Sequence, residues 1–240
     1  MTIVSNRRCL VFACAHLTDE RLFAAQVAHL KDVYGCRVFA FRNHDSFGNM
    51  ADELLANTPQ RFTLIGLSLG GYLAFEVIRR QLHRLERLVL MGTTAATDSA
   101  TGRAGRHADI EKVRANGLEA LIPELPGRWL LPAHTQRPAL TNLMADMARS
   151  IGASGQFNQQ MAMLARPDSY ADLARVRVPT LIMCGREDMV RPLIEHQAMA
   201  ACLPEARLEI IERCGHLSTI EQPDAVNRVL TDWLRATDPA

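Results

Sequence analysis

Short, continuous apolar runs alternate along this chain with segments of helical period. The runs are CLVFACA (9–15), CRVFAF (36–41), RFTLIG (61–66), LERLVLMG (85–92), VPTLIMCG (178–185) and ARLEIIE (206–212). Runs of this length without polar alternation predict strands covered on both faces. Between them, Asp19 can cap a helix in which Phe23, Val27 and Leu30 recur on one side. NMADELLAN (49–57) predicts a short helix, with Asp45 ahead of it as a cap, and a further helix follows from Leu69 to Gln81. Another lies near 192–202, and a last one starts at Pro223 with Val226, Val229, Leu230, Trp233 and Leu234 inward. Strand–helix alternation of this kind predicts an α/β fold: a mostly parallel open sheet with helices on both faces.

Residues 96–174 break the rhythm. They contain no convincing strand, only amphipathic patches at 110–121, 140–151 and 157–164, separated by turns such as PELPG (123–127). The expected organisation is a core from 1–95 and 175–240, with 96–174 inserted as a helical lid. At 240 residues the chain is long enough for one such domain with a substantial core.

Charge narrows the function classes. Lys and Arg total 27 against 26 Asp and Glu, and no long basic stripe is present, so nucleic acid and anionic membranes are not expected as partners. No apolar segment approaches the length of a membrane span, and the first residues do not read as a signal peptide. Six cysteines at 9, 14, 36, 184, 202 and 214 show no C-x-x-C pair and no metal-ligand spacing. They read as reduced thiols of a cytoplasmic protein, with no metal and no cofactor. The sequence leaves homo-oligomerisation open.

The chemistry concentrates in three places. Gly66-Leu67-Ser68-Leu69-Gly70 falls between a predicted strand and a predicted helix. A serine on so tight a turn is held out above the sheet edge. Its hydroxyl is a weak nucleophile and needs a base, which needs an orienting group. In MCGREDMVRP (183–192) a strand ends at Gly185 and Asp188 follows three residues later. In ERCGHLSTIEQP (212–223) Gly215 and His216 precede the last helix. The order Ser68, Asp188, His216 matches a known nucleophile–acid–base order.

With these motifs the chain resembles the α/β-hydrolase superfamily over nearly its whole length. The resemblance implies that Ser68 attacks an acyl carbonyl, His216 carries the proton, and Asp188 orients the imidazole. It implies an oxyanion hole made of two backbone N–H groups, from Leu69 and from His16 in the loop after the first strand. That loop usually carries a glycine where this chain has Ala15. The substrate implied is a small acylated molecule, most simply a carboxylic ester. Carbon–carbon bond hydrolysis, thioester or lactone hydrolysis, acyl transfer and perhydrolysis share the same site. Ester turnover should fall in acid as His216 takes up a proton, because the cation cannot act as base.

Blander readings apply elsewhere. Glu187 is read as a solvated loop charge, His16 as used through its backbone, and His29, His44, His83, His107, His134 and His196 as surface or packing residues. Trp129, Phe157, Met161 and Met163 are lid residues that either line an acyl pocket or pack within the lid. Two rival classes are a ligand sensor on the same scaffold, which the complete set of three motifs disfavours, and a dinucleotide-dependent oxidoreductase. The second needs G-x-G-x-x-G after the first strand, where this chain has Ala-His-Leu-Thr.

Overall fold

The computed structural model describes residues 7–238. Its strands are β1 (Cys9–Ala13), β2 (Gly35–Phe39), β3 (Phe62–Leu67), β4 (Leu85–Met91), β5 (Thr180–Gly185) and β6 (Ala206–Ile211). They form one sheet in the order β2-β1-β3-β4-β5-β6, with every neighbouring pair parallel. The helices are α1 (Ala24–Leu30), α2 (Phe47–Ala56), α3 (Leu69–Gln81), α4 (Ala100–Asn116), α5 (Leu125–Trp129), α6 (Pro138–Ala165), α7 (Tyr170–Leu173), α8 (Leu193–Ala201), α9 (Ser218–Glu221) and α10 (Pro223–Ala236).

Alternate residues of the central strands feed two cores. Leu10, Phe12, Ile65, Leu67, Val89 and Met91 face one side, where Leu22 and Phe23 before α1 and Val226 and Leu230 of α10 cover them. Val11, Leu64, Leu88 and Leu90 face the other, under Met50 and Leu54 of α2 and Leu73 and Val77 of α3. Both faces are therefore apolar, which is why the strands read as uninterrupted hydrophobic runs. No helix among the described residues is long and apolar enough to cross a membrane.

The chain moves outward from β1 to β2, then returns across β1 to β3 and continues the other way. Connections leaving β1 and β3 thus diverge, and a crevice opens at their carboxyl ends. The loops after β1 and β3 carry His16 and Ser68. Between β4 and β5 the regular elements are all helical, running from α4 to α7. Its longest helix, α6, is broken at Gly152, where φ is 76°.

Local boundaries differ from the periodic reading in instructive ways. β1 stops at Ala13, two residues early, although Cys14 N–H still donates to Phe39 O at 3.0 Å. Asp19 caps a 3-10 turn, Glu20–Phe23, rather than α1 itself. Asp45 is not the cap of α2. That helix begins at Phe47, so the capping position moves to Ser46, whose side chain accepts the Asn49 N–H.

Candidate active site

Three glycines shape the turn between β3 and α3. A Cβ at Gly66 would lie 2.3 Å from Gly70 O, one at Gly70 would lie 2.0 Å from Ala13 O, and one at Gly71 would lie 2.4 Å from Thr93 Oγ1. Only hydrogen fits in each place. Between them Ser68 takes φ 53° and ψ −107°, a conformation that L side chains rarely adopt. The strain is held from several sides. Ser68 N–H donates to Met91 O at 2.8 Å, while its carbonyl accepts the Gly71 N–H at 2.9 Å and the Thr93 hydroxyl at 3.0 Å.

The carboxyl end of β5 delivers Asp188 and the segment after β6 delivers His216. Gly185 lets these segments touch, since a Cβ there would meet Gly215 O at 2.1 Å, and Gly215 makes room for the segment after β4, since a Cβ there would meet Leu131 N at 2.6 Å. His216 Nδ1–H donates to Asp188 Oδ2 at 2.8 Å. A carboxylate only accepts, so the proton sits on Nδ1 and Nε2 is left as an acceptor. Asp188 Oδ1 accepts the N–H groups of Val190 and Arg191, both at 2.9 Å. Burial alone would raise the Asp188 pKa, but His216, the Arg191 N–H and His196 hold it below the usual carboxylate value.

Ser68 and His216 line one small cavity together with Ala15, His16, Tyr72, Arg106, Trp129, Met163, Val190, Arg191 and Leu217. Among the described residues no hydrogen bond joins the Ser68 hydroxyl to the His216 ring. Such contacts often tighten only when substrate binds. Neither Leu69 N–H nor His16 N–H has an acceptor among the described residues. Leu69 is the first residue of α3, so its N–H belongs to the electropositive helix end.

The loop after β1 reaches its shape without glycine. Leu17 sits at φ 52°. Gln159 of α6 fixes it: its Oε1 accepts both His16 Nδ1–H at 2.8 Å and Leu17 N–H at 2.9 Å, while its Nε2 donates to Phe41 O at 2.6 Å. The His16 ring is therefore engaged as well as its backbone. Burial, with Arg106 adding to it, pushes this ring down to about 3.

Of the remaining residues, some depart from the sequence reading and some fit it. Glu187 is half-buried, and its Oε2 accepts the Cys214 N–H at 2.9 Å, tying the Asp188 loop to the His216 loop. His134 is buried, with Nδ1 2.9 Å from Glu221 Oε2. Trp129 and Met163 line the cavity, whereas Phe157 and Met161 are exposed. His216 N–H donates to Trp129 O at 2.8 Å, so the segment after β4 also supports the histidine. Tyr72, Arg106, Arg191 and Gln159 carry no motif of their own. The one local signal is spacing: Tyr72 stands four residues after Ser68 on α3, and Arg191 three after Asp188.

Among the described residues no group of three or more His, Cys, Asp or Glu side chains could hold a metal ion.

Residues 13–229 match the model of the alpha/beta hydrolase family. The chain is 28% identical to a pimeloyl-[acyl-carrier protein] methyl ester esterase of Aromatoleum aromaticum, over 77% of this chain and 78% of the relative. It is 26% identical to 3-oxoadipate enol-lactonase 1 of Acinetobacter baylyi, over 96% of this chain and 90% of the relative. Among solved structures, a thermophilic esterase from Thermogutta terrifontis superposes with a TM-score of 0.90 at 28% identity, covering 97% of this chain and 91% of that one.

Proposed function

Because the chain belongs to the alpha/beta hydrolase family, we propose that it hydrolyses carboxylic esters through an acyl-enzyme on Ser68, with His216 as base and Asp188 as the orienting acid. The observation that carries this reading is the 2.8 Å hydrogen bond from His216 Nδ1–H to Asp188, which frees Nε2 in a cavity that Ser68 also lines.

Ser68 Oγ attacks the ester carbonyl carbon, and its proton passes to His216 Nε2. Asp188 stabilises the imidazolium without taking the proton. The carbonyl oxygen becomes an oxyanion and accepts the N–H groups of Leu69 and His16, each worth roughly 10²–10³ in kcat at such sites. The intermediate collapses, the carbonyl–alkoxy bond breaks, and His216 returns the proton to the departing alcohol. Water, deprotonated by His216, then releases the acid. Both N–H groups await an acceptor, which suits this role.

The segment 96–174 acts as the lid. It contributes Arg106, Trp129 and Met163 to the cavity lining. The named relatives span ester and lactone cleavage, and we assign this chain to open-chain esters. The unpaired thiols suit a reducing compartment, and we place the enzyme in the cytosol.

Turnover of 4-nitrophenyl butyrate tests the reading. The wild type should hydrolyse it, and Ser68→Ala should lose about 10³-fold or more in kcat. Equal turnover by Ser68→Ala would remove the serine from the mechanism.

A further inference from the structure

Two guanidinium groups, those of Arg106 and Arg191, line the cavity that holds Ser68 and His216, and no Asp or Glu lines it. Behind them stands Arg166. Its guanidinium carbon lies 4.2 Å from the centroid of the Tyr72 ring, and that of Arg191 lies 5.6 Å from the same centroid. All three arginines converge on one carboxylate, Asp98. Its Oδ1 accepts from Arg166 at 2.7 Å and from Arg191 at 2.9 Å, while its Oδ2 accepts from Arg106 Nε. These side chains are largely buried: 16% of Arg106, 13% of Arg191 and 4% of Arg166 and Asp98 is exposed.

The charges do not balance. Besides Asp98, the carboxylate at hand is Glu195, 3.7 Å from Arg191. The remaining partners are neutral: Tyr72 OH accepts from Arg191 Nε at 2.8 Å, and Gln160 Oε1 and Met163 Sδ accept from Arg106 at 3.1 and 2.9 Å. A strap that merely fastened α4 and the end of α6 to the Asp188 loop would be most stable with its cations matched by anions. Here three guanidinium groups meet two carboxylates, and two of the three line the cavity, while the adjoining opening that shares Arg106 and Arg191 carries Asp98, Asp109 and Glu195.

We propose that this cavity takes esters bearing a free carboxylate, which Arg106 and Arg191 hold while the ester carbonyl lies at Ser68. The inference rests on the ester-hydrolase reading above. A planar guanidinium pairs with a carboxylate through parallel N–H···O bonds. Gln160, Met163 and Tyr72 are neutral acceptors for these two groups, and an incoming carboxylate would replace such weak partners with a charged one. The acid group can sit on the acyl or on the alcohol side.

Matched substrate pairs separate the two cases. Methyl hydrogen succinate against methyl butyrate probes the acyl side, and 4-acetoxybenzoate against phenyl acetate probes the alcohol side. In at least one pair kcat/KM should favour the anion by tenfold or more, less so in 0.5 M NaCl. That ratio should fall at least tenfold in Arg106→Gln and recover in part in Arg106→Lys. A purely structural strap lowers both members of a pair together, so an unchanged ratio in a folded Arg106→Gln overturns the proposal, as does a wild type that favours the neutral ester in both pairs. If Arg106→Gln does not fold, the wild-type ratios and their salt dependence decide. If no ester is turned over in a Ser68-dependent way, the hydrolase reading fails. Calorimetric titration with succinate and benzoate then decides the anion site: saturable binding lost in Arg106→Gln supports it, and no binding up to 20 mM overturns it.

Discussion

The two loops that bring the proposed oxyanion donors together are built on opposite plans. The elbow after β3 is shaped by what its own sequence lacks: at Gly66, Gly70 and Gly71 a Cβ would overlap neighbouring atoms. The loop after β1 has Ala15 and a left-handed Leu17, and it is shaped by a side chain from far along the chain, Gln159. A backbone bend can thus be enforced by omission or by an outside clamp. The first is rigid as soon as the sheet forms. The second depends on the helices between β4 and β5 being in place, which couples the loop after β1 to the proposed lid.

Breaking the elbow should have the larger effect. Gly70→Ala puts a carbon 2.0 Å from the Ala13 carbonyl oxygen, where only backbone movement relieves the overlap. A loss on the order of 3 kcal/mol is expected, together with loss of ester turnover. Urea unfolding followed by circular dichroism measures it, and an unchanged midpoint would show that the elbow is looser than described.

Removing the clamp should act on catalysis more than on folding. Gln159→Leu takes away the acceptor of both the His16 ring and the Leu17 N–H. A drop in kcat of about 10²-fold is expected, comparable to losing one oxyanion donor. Stability should fall by about 1–3 kcal/mol for the orphaned N–H. A kcat within twofold of wild type would mean that the loop holds its shape alone.

The smallest effect concerns the support behind the elbow. His196 is fully buried, and its Nε2 accepts the Thr93 N–H at 3.2 Å, the same Thr93 whose hydroxyl holds the Ser68 carbonyl. Burial, with His216 and Arg191 adding to it, pushes this histidine down to about 4. Its folded value lies below the unfolded value of about 6.5, so the folded state prefers the neutral ring. The associated stability is complete above pH 6.5 and is lost as pH falls toward 4. Between pH 6.5 and 5 the loss is at most about 2 kcal/mol. His196→Gln should flatten that slope in thermal melts across this range. An equal slope in both proteins would assign the acid sensitivity to other groups.

The elbow was legible in the sequence because its constraint is local: the glycines that make room sit within three residues of Ser68. Asp188 and His216 were legible for a similar reason, as each follows a strand end and a glycine. The strands were readable because both sheet faces are covered. What escaped depends on distant helices. Gln159 meets His16 from 143 residues away, and Asp98 meets Arg191 from 93. No period or spacing encodes such meetings. The four lid residues singled out, Trp129, Phe157, Met161 and Met163, divided for the same reason. The helical phase after the break at Gly152 decides that Met163 faces the cavity while Phe157 and Met161 face solvent. Glu187, read as solvated, became a bridge because two loops close on each other at Gly185 and Gly215.

The most direct measurement is covalent. Intact-mass analysis after incubation with a fluorophosphonate, followed by peptide mapping, should find one adduct, located on Ser68. The adduct should be absent from Ser68→Ala and strongly slowed in His216→Ala. Modification of another residue, or equal labelling of Ser68→Ala, would contradict a nucleophilic role for the serine at the elbow.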